Sequence, residues 1–466
     1  MDKYKRLVSN TALFAVSTFS SKLLSYVLTS YHTRMVITDD YGTMDLIISL
    51  GNFLIPLVSL GISNAIIRFG LQKGVNKREL YTNGLLSVFT GFFILAAAWP
   101  LISMIPYVKS TVGNAWIWLL LFVLMSCLRT LNCQFVRARE MVRLYAVDGI
   151  LCTLTNLLFN ILFLSGFHLG ATGIILAMIC SDSCSAIFLF FVSRIWKYLK
   201  PPRVNFRLWK QMLTYSVPLI SASMFWWVTS TSDKIFISAM IGTDANGLFA
   251  ASYKLPTILT IVATLFTEAW QISAFTDGTK KGRAAFFSRV FGVYQSLMFM
   301  AGAGIIWLCK PVMSVFVGKS YVAGWVFIPL LTMATLFNSF DNFLNSIYML
   351  EKRSDLSLVT MGAGAAMNLV LNAACIPLWG VQGAALATFL SYFFVFLLRI
   401  INTHGIVPMR VPVLHMMVNM AILILETLLM LLDIPGWPVM TALLVALILA
   451  LNFKSLWDTV RKLLRR

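Results

Sequence analysis

Residues 156–177 read NLLFNILFLSGFHLGATGIILA, and residues 368–387 read NLVLNAACIPLWGVQGAALA. Asn156-Leu-Leu-Phe-Asn160 returns as Asn368-Leu-Val-Leu-Asn372, 212 residues later. Gly170-Ala-Thr-Gly-Ile-Ile-Leu-Ala177 returns as Gly380-Val-Gln-Gly-Ala-Ala-Leu-Ala387 at a separation of 210. A fainter echo joins Ile37-Thr-Asp-Asp-Tyr-Gly42 to Ile241-Gly-Thr-Asp-Ala-Asn-Gly247. Several matches at nearly one offset mark an internal duplication. The halves run over residues 1–205 and 206–404, and residues 405–466 are an addition. The junction WKYLKPPRVNFRLWK (196–210) is the longest strongly basic connection, and Pro201-Pro202 stops a helix from running through it.

What is duplicated follows from composition. The chain is 59% hydrophobic and 12% charged, whereas soluble domains carry about 25% charged residues. Apolar runs of helix length succeed one another almost to the C-terminus, without the alternation of a barrel. Fourteen helices are expected near 8–31, 44–69, 80–105, 115–136, 144–166, 172–194, 212–240, 247–275, 286–309, 322–349, 356–377, 381–402, 412–432 and 437–453. The start, MDKYKRLVSNTALFAVSTFSSKLLSYVLTS, has the basic opening of a signal peptide. Its apolar stretch is too long for one, so an uncleaved first helix is expected. The expected fold is therefore an all-α polytopic membrane protein, with two six-helix repeats and two C-terminal helices. Six helices per half return the chain to its starting side, so the repeats are parallel, the architecture of alternating-access transporters.

Alternating the connections gathers 29 of the 37 Lys and Arg residues on the N-terminal side, while the other side holds Arg34, Lys109, Lys310 and Lys319. The positive-inside rule then puts both termini in the cytoplasm of a cell membrane. The net charge of +19 is spread over short connections with no basic domain. It fits topology and anionic headgroups, and no nucleic acid partner is expected. His32, His168, His404 and His415 have no metal-site spacing, and no P-loop pattern occurs, so neither a metal nor another cofactor is expected. Cys180 and Cys184 share a helix face and read as small packing residues.

Nine ionisable residues fall well inside expected helices: Lys22, Arg129, Asp182, Asp233, Lys234, Lys254, Glu268, Asp341 and Glu426. Each costs about 2.5–3.5 kcal/mol at the bilayer centre on insertion scales. They must therefore pair, reach an interface or line a hydrated interior. The sharpest case is VPLISASMFWWVTSTSDKIFISAMI (217–241), where Asp233 and Lys234 are adjacent. Neighbours on a helix point about 100° apart, so the two have separate tasks. Lys22, Lys234 and Lys254 suit a cationic central cavity for a diphosphate, with Arg34 at the outer end of helix 1 and Arg129 nearer the cytoplasm. The alternative for Lys234 and Lys254 is snorkelling to headgroups; for Arg129 it is a structural pair with Asp182 or Glu268. Asp182, Asp233, Glu268 and Asp341 are candidates for ion coupling or charge pairing. Asn156, Asn160, Asn368 and Asn372 are expected to hydrogen-bond between helices.

The N-L-x-x-N…G-x-x-G-A-A-x-A-T segment, the S-x-x-D-K of Ser230–Lys234 and Gly247-Leu-Phe-Ala-Ala-Ser-Tyr-Lys-Leu255 resemble oligosaccharide flippases of the O-antigen (Wzx) type. These belong to the multidrug/oligosaccharidyl-lipid/polysaccharide exporter (MOP) superfamily, and the resemblance covers nearly the whole chain. It implies transfer of undecaprenyl-diphosphate-linked oligosaccharide from the cytoplasmic to the outer leaflet. It also implies membrane lipids, polysaccharide polymerase and assembly proteins as partners, and H+ or Na+ as a coupling ion. A lipid II flippase and a cation-coupled multidrug exporter remain open. A membrane glycosyltransferase or polymerase fits less well, because no connection exceeds about 20 residues and loops of that kind merely join spans. No enzymatic activity is expected.

Overall fold

The computed structural model describes residues 24–72, 74–199, 204–276, 283–351 and 353–464, apart from the side chains at 222, 265, 268–276, 283, 349–350, 354 and 454–464. The protein is all-helical and polytopic. In chain order the helices are α1 (24–35), α2 (Thr38–Val58), α3 (Ile62–Gly70), α4 (Lys77–Ile102), α5 (Pro106–Val112), α6 (Trp116–Ala138), α7 (Val142–Ile161) and α8 (Gly170–Val192). They continue with α9 (Phe206–Met240), α10 (Thr243–Tyr253), α11 (Thr257–Thr276), α12 (Arg283–Phe316), α13 (Ile328–Leu350), α14 (Ser354–Ile406), α15 (Val413–Leu431) and α16 (Trp437–Leu464). Taken as continuous stretches, α2–α3, α5–α6 and α10–α11 are one membrane helix each, and α14 is two, which gives fourteen. Ten helices among the described residues are long and apolar enough to cross a bilayer by themselves.

The breaks have local causes. Leu60 and Gly61 lie at φ +50° and +62°, where the i to i−4 ladder cannot continue, so α2 ends and α3 begins. Pro256 has no N–H to give, and the expected single helix over 247–275 is instead two, α10 and α11. The last helix reaches Leu464 rather than 453, because the basic tail continues the helical ladder past the apolar run.

The duplicated glycines have one physical explanation in both halves. Gly170 and Gly380 sit at φ +57° and +58°, positive-φ backbone that glycine adopts freely, where the chain reverses between consecutive helices. Gly383 then lies against the Cys375 carbonyl oxygen, which an added Cβ would meet at 2.1 Å. Eight residues along a straight helix would be about 12 Å apart, so α14 doubles back at Gly380. The fainter echo also has a cause. Asp39, Asp40 and Asp244 occupy first turns of helices, where carboxylates favour the positive end of the dipole.

The chain divides into two compact units between Trp227 and Val228, inside α9. The first part of α9 is tied into the N-terminal unit. Trp209 Nε1 donates to Ser87 Oγ at 2.8 Å, Ser216 Oγ to the Leu60 carbonyl at 2.8 Å, and Trp227 Nε1 to the Ser49 carbonyl at 2.8 Å. That unit buries Leu119, Phe122, Val123, Leu131 and Phe135 of α6. The C-terminal unit is built round Phe291, Tyr294, Phe337, Phe340, Phe343 and Phe396, whose rings lie 4.6–6.4 Å from aromatic neighbours in stacked, tilted and edge contacts. Its terminal hairpin is held at one end by Lys310, which lies 5.0 Å from the Trp325 ring, 5.1 Å from the Trp437 ring and 3.7 Å from Asp433.

Candidate functional site

The puzzle of Asp233 beside Lys234 is answered within the C-terminal unit. Asp233 is 2% exposed, and its carboxylate turns to the duplicated Asn pair. Asn368 Nδ2 donates to Oδ1 at 3.1 Å, Asn372 Nδ2 to the same oxygen at 2.6 Å, and Thr388 Oγ1 to Oδ2 at 2.5 Å. Ser232 donates to Asn368 Oδ1, which also accepts from Asn372 Nδ2 at 3.1 Å. Spacing of four residues puts Asn368 and Asn372 on one face of α14, and the reversal at Gly380 returns Thr388 beside them.

This cluster has the composition of a hard-cation site. Around one carboxylate it gathers the side chains of Asn368, Asn372 and Thr388, which turn amide and hydroxyl hydrogens to it and could turn over to offer oxygens to a cation, with the Ala384 carbonyl 2.9 Å from Thr388 Oγ1. Asn372 Oδ1 is buried and has no hydrogen-bond partner among the described residues, leaving one oxygen free to ligate. Oxygen ligands and a single negative charge suit a monovalent hard cation better than a transition metal, which takes nitrogen and sulfur. No group of three or more His, Cys, Asp or Glu side chains fit to hold a metal occurs among the described residues.

The N-terminal unit uses the same Asn pair differently. Asn160 Nδ2 meets Asn156 Oδ1 at 2.5 Å, and Asn160 Oδ1 lies 2.6 Å from His32 Nε2 on α1. One copy of the motif thus grips a carboxylate on the first helix of its half, and the other grips an imidazole. Elsewhere in this unit Arg129 Nη1 donates to Asp182 Oδ1 at 3.2 Å and its Nε to Ser185 Oγ at 3.2 Å. Ser126 donates to the other Asp182 oxygen. Asp148, on α7, completes that group.

Of the remaining candidates, Lys234 lies within electrostatic reach of Asp233. Lys234 is half-buried one position beyond Asp233. Lys254 caps α10 where the helix breaks before Pro256, its carbonyl accepting from Thr257 N at 3.2 Å and from Thr257 Oγ1 at 2.5 Å. Interrupted membrane helices free polar backbone groups at binding sites. Arg34 is exposed in the last turn of α1. Lys22 and the Glu268 side chain lie outside the described residues. Asp341 is 3% exposed, and neither carboxyl oxygen has a hydrogen-bond partner among the described residues. Arg399 lies beside it, donating through Nη1 to the Asp341 backbone carbonyl at 2.8 Å and through Nε to Thr360 Oγ1 at 3.2 Å. Arg399 reads in the sequence as a basic helix end, yet it is 4% exposed, because α14 runs on to Ile406. Glu426 is fully buried in α15, its carboxyl likewise without a hydrogen-bond partner among the described residues.

Residues 7–271, more than half of the chain, match a family described as "Polysaccharide biosynthesis protein". The chain belongs to this family. The fold of this polysaccharide biosynthesis protein is like those of MurJ and of the multidrug and toxin extrusion (MATE) transporters. A structure titled lipid II flippase MurJ, inward closed conformation, aligns with a TM-score of 0.69 at 14% identity, covering 97% of this chain and 100% of that one. An inward-facing multidrug resistance MATE transporter aligns at 0.62 and 12%, covering 82% of this chain and 95% of that one. Among curated proteins, multidrug and toxin extrusion protein 1 of Rattus norvegicus is 28% identical over 149 residues, 30% of this chain and 26% of that protein. The match thus spans about a quarter of the length of that relative. The family member described here is a polytopic membrane protein of a family described by polysaccharide biosynthesis.

Three contributors escape sequence reasoning. Thr388 is visible as the end of the duplicated segment, but its counterpart is Met178, so duplication gives no cue to its hydroxyl. Asp148 and Arg399 stand close enough to expected helix ends to pass for interfacial charges.

Proposed function

We propose that this protein flips undecaprenyl-diphosphate-linked oligosaccharide units from the cytoplasmic to the outer leaflet by alternating access, coupled to a monovalent cation held at Asp233. The observation that carries the reading is the family match over residues 7–271. The MurJ likeness across nearly the whole chain supports it, since that relative is titled a lipid II flippase. In this reading Lys22, Lys234, Lys254 and Arg34 meet the diphosphate during passage, and both termini are cytoplasmic. The positive groups neutralise the headgroup while the polyprenyl chain stays in lipid, so the ionic part never crosses hydrocarbon uncompensated.

Reconstituted protein given fluorescent lipid-diphosphate saccharides is expected to exchange them between leaflets. Lys22→Ala and Lys254→Ala are each expected to slow exchange at least about tenfold, the equivalent of one lost charge contact of 1.4 kcal/mol, while the protein still inserts. Full exchange in both variants would remove the cationic path. Export of organic cations with no saccharide exchange would replace the flippase by a drug exporter.

A further inference from the structure

We infer that the N-terminal unit contains a proton-binding centre at Asp148, poised against the Arg129–Asp182 pair. Asp148 is 1% exposed and Asp182 8% exposed, and both lie on helices that cross the membrane. Arg129 bonds Asp182 directly. Its Nε reaches Ser185 Oγ, and that hydroxyl donates its one proton to Asp148 Oδ1 at 2.6 Å. The other Asp148 oxygen receives the Cys133 thiol at 3.2 Å. Asp148 therefore has neutral hydrogen-bond donors, and the guanidinium acts on it through its charge and the Ser185 relay, without a direct hydrogen bond.

Charge decides what the centre takes up. Two carboxylates face one guanidinium, a formal excess of one negative charge in the membrane interior. Cys133 from α6 and Cys152 from α7 are the other titratable groups in electrostatic reach, and neither thiol supplies a positive charge. A buried charge without a partner costs several kcal/mol, and a carboxylate in that position takes a proton instead. The ligand chemistry favours a proton over a metal cation. A hydroxyl and a thiol are the side chains that bond Asp148, whereas the Asp233 cluster has two amides that could turn an oxygen to a cation. Loss of the proton would set Asp148 against Asp182 for one guanidinium on α6. Such a group has two discrete positions, which a transport cycle can bias.

The meaning of this centre rests on the transport reading, but the proton can be read without transport. Infrared difference spectra of the full-length protein in nanodiscs, titrated from acid to alkaline pH, should show a protonated-carboxyl band that disappears as the pH rises. One component of that band should be missing in Asp148→Asn, where the buried Asp341 and Glu426 carboxyls still absorb, and it should be present in Asp233→Asn and unmoved by sodium. Ser185→Ala removes a donor to the ionised form and should move the midpoint to higher pH by about one unit. That variant keeps the inference testable should Asp148→Asn fail to fold. In proteoliposomes, Asp148→Asn should flatten the pH profile of saccharide exchange. A titration in Asp148→Asn indistinguishable from wild type, or a midpoint of that component unmoved by Ser185→Ala, would overturn the assignment. Displacement of the band by sodium would make the centre a metal site. An intact titration with no saccharide exchange would sink the flippase reading and leave the proton centre standing.

Discussion

Asp233→Asn is expected to abolish the response of transport to its coupling cation while leaving a folded protein in the membrane. The substitution preserves side-chain volume and removes the one negative charge among the oxygens of Asn368, Asn372, Thr388 and Ala384. Even an outer partner of a metal ligand is worth roughly 10–100-fold in affinity, so loss of the charged ligand should weaken cation binding by at least about a hundredfold. Thr388→Val, which deletes one neutral oxygen at nearly constant shape, should have a smaller effect in the same direction. Asp233→Ala goes further. It leaves one amide hydrogen each of Asn368 and Asn372 without an acceptor, while Thr388 keeps the Ala384 carbonyl, and each buried donor so stranded costs about 1–3 kcal/mol. A ligand that binds the folded state raises the melting temperature with its concentration. Sodium should therefore stabilise the wild type against heat and have no such effect on Asp233→Asn. A wild-type sodium response in that variant would mean that the cluster is packing and nothing more.

The fold was largely legible because its signals are covalent and local. Apolar runs and a repeat at one offset need no knowledge of tertiary contacts. The helix breaks were legible in principle as well: Pro256 stands two residues beyond Lys254, and a proline there cannot give the hydrogen bond that a continuous helix requires. The sites were half legible. Asn368 and Asn372 declare a shared face by their spacing, and Asp233 declares a cost that something must offset. That these three meet depends on a contact across 135 and 139 residues, which no local pattern encodes.

The polar residues that went unread share a different cause. Asp148 lies four positions from the expected start of its helix at 144, and Arg399 three from the expected end of its helix at 402. A charge at such a depth normally reaches the headgroups. In the structure α7 begins at Val142 and α14 ends at Ile406. Each residue therefore lies deeper in its helix than the apolar pattern indicates, and neighbours cover it. Sequence periodicity fixes which face a residue occupies better than how deep it lies, and for ionisable groups depth decides the chemistry.

Gly383→Val is expected to yield no folded protein, the largest stability effect foreseen for a single methyl-bearing substitution here. A Cβ at 383 would stand 2.1 Å from the Cys375 oxygen, 2.5 Å from its carbonyl carbon and 2.9 Å from Ile376 N. All three are backbone atoms, so no side-chain rotation relieves the clash and the two arms of α14 must part. Overpacking of a core ordinarily costs about 1–3 kcal/mol; separating the arms also threatens the approach of Thr388 to Asp233, which are joined at 2.5 Å. Even Gly383→Ala should lower the melting temperature in detergent sharply. Gly380→Ala acts by another route. Its surroundings are open, the nearest atom being Ile241 Cδ1 at 4.0 Å. The cost there is the backbone alone, since φ +58° with ψ −140° is a region essentially open to glycine only, about 1–3 kcal/mol. Gly304→Ala, in α12 with nothing within 4 Å of the added carbon, should instead stabilise the helix by about 0.5–1 kcal/mol. Melting curves ranked Gly304→Ala above wild type, then Gly380→Ala, then Gly383→Ala would support the hairpin geometry. A Gly383→Ala protein as stable as wild type would mean that Gly383 does not pack against the Cys375 backbone, and that Thr388 owes its position to something other than this turn.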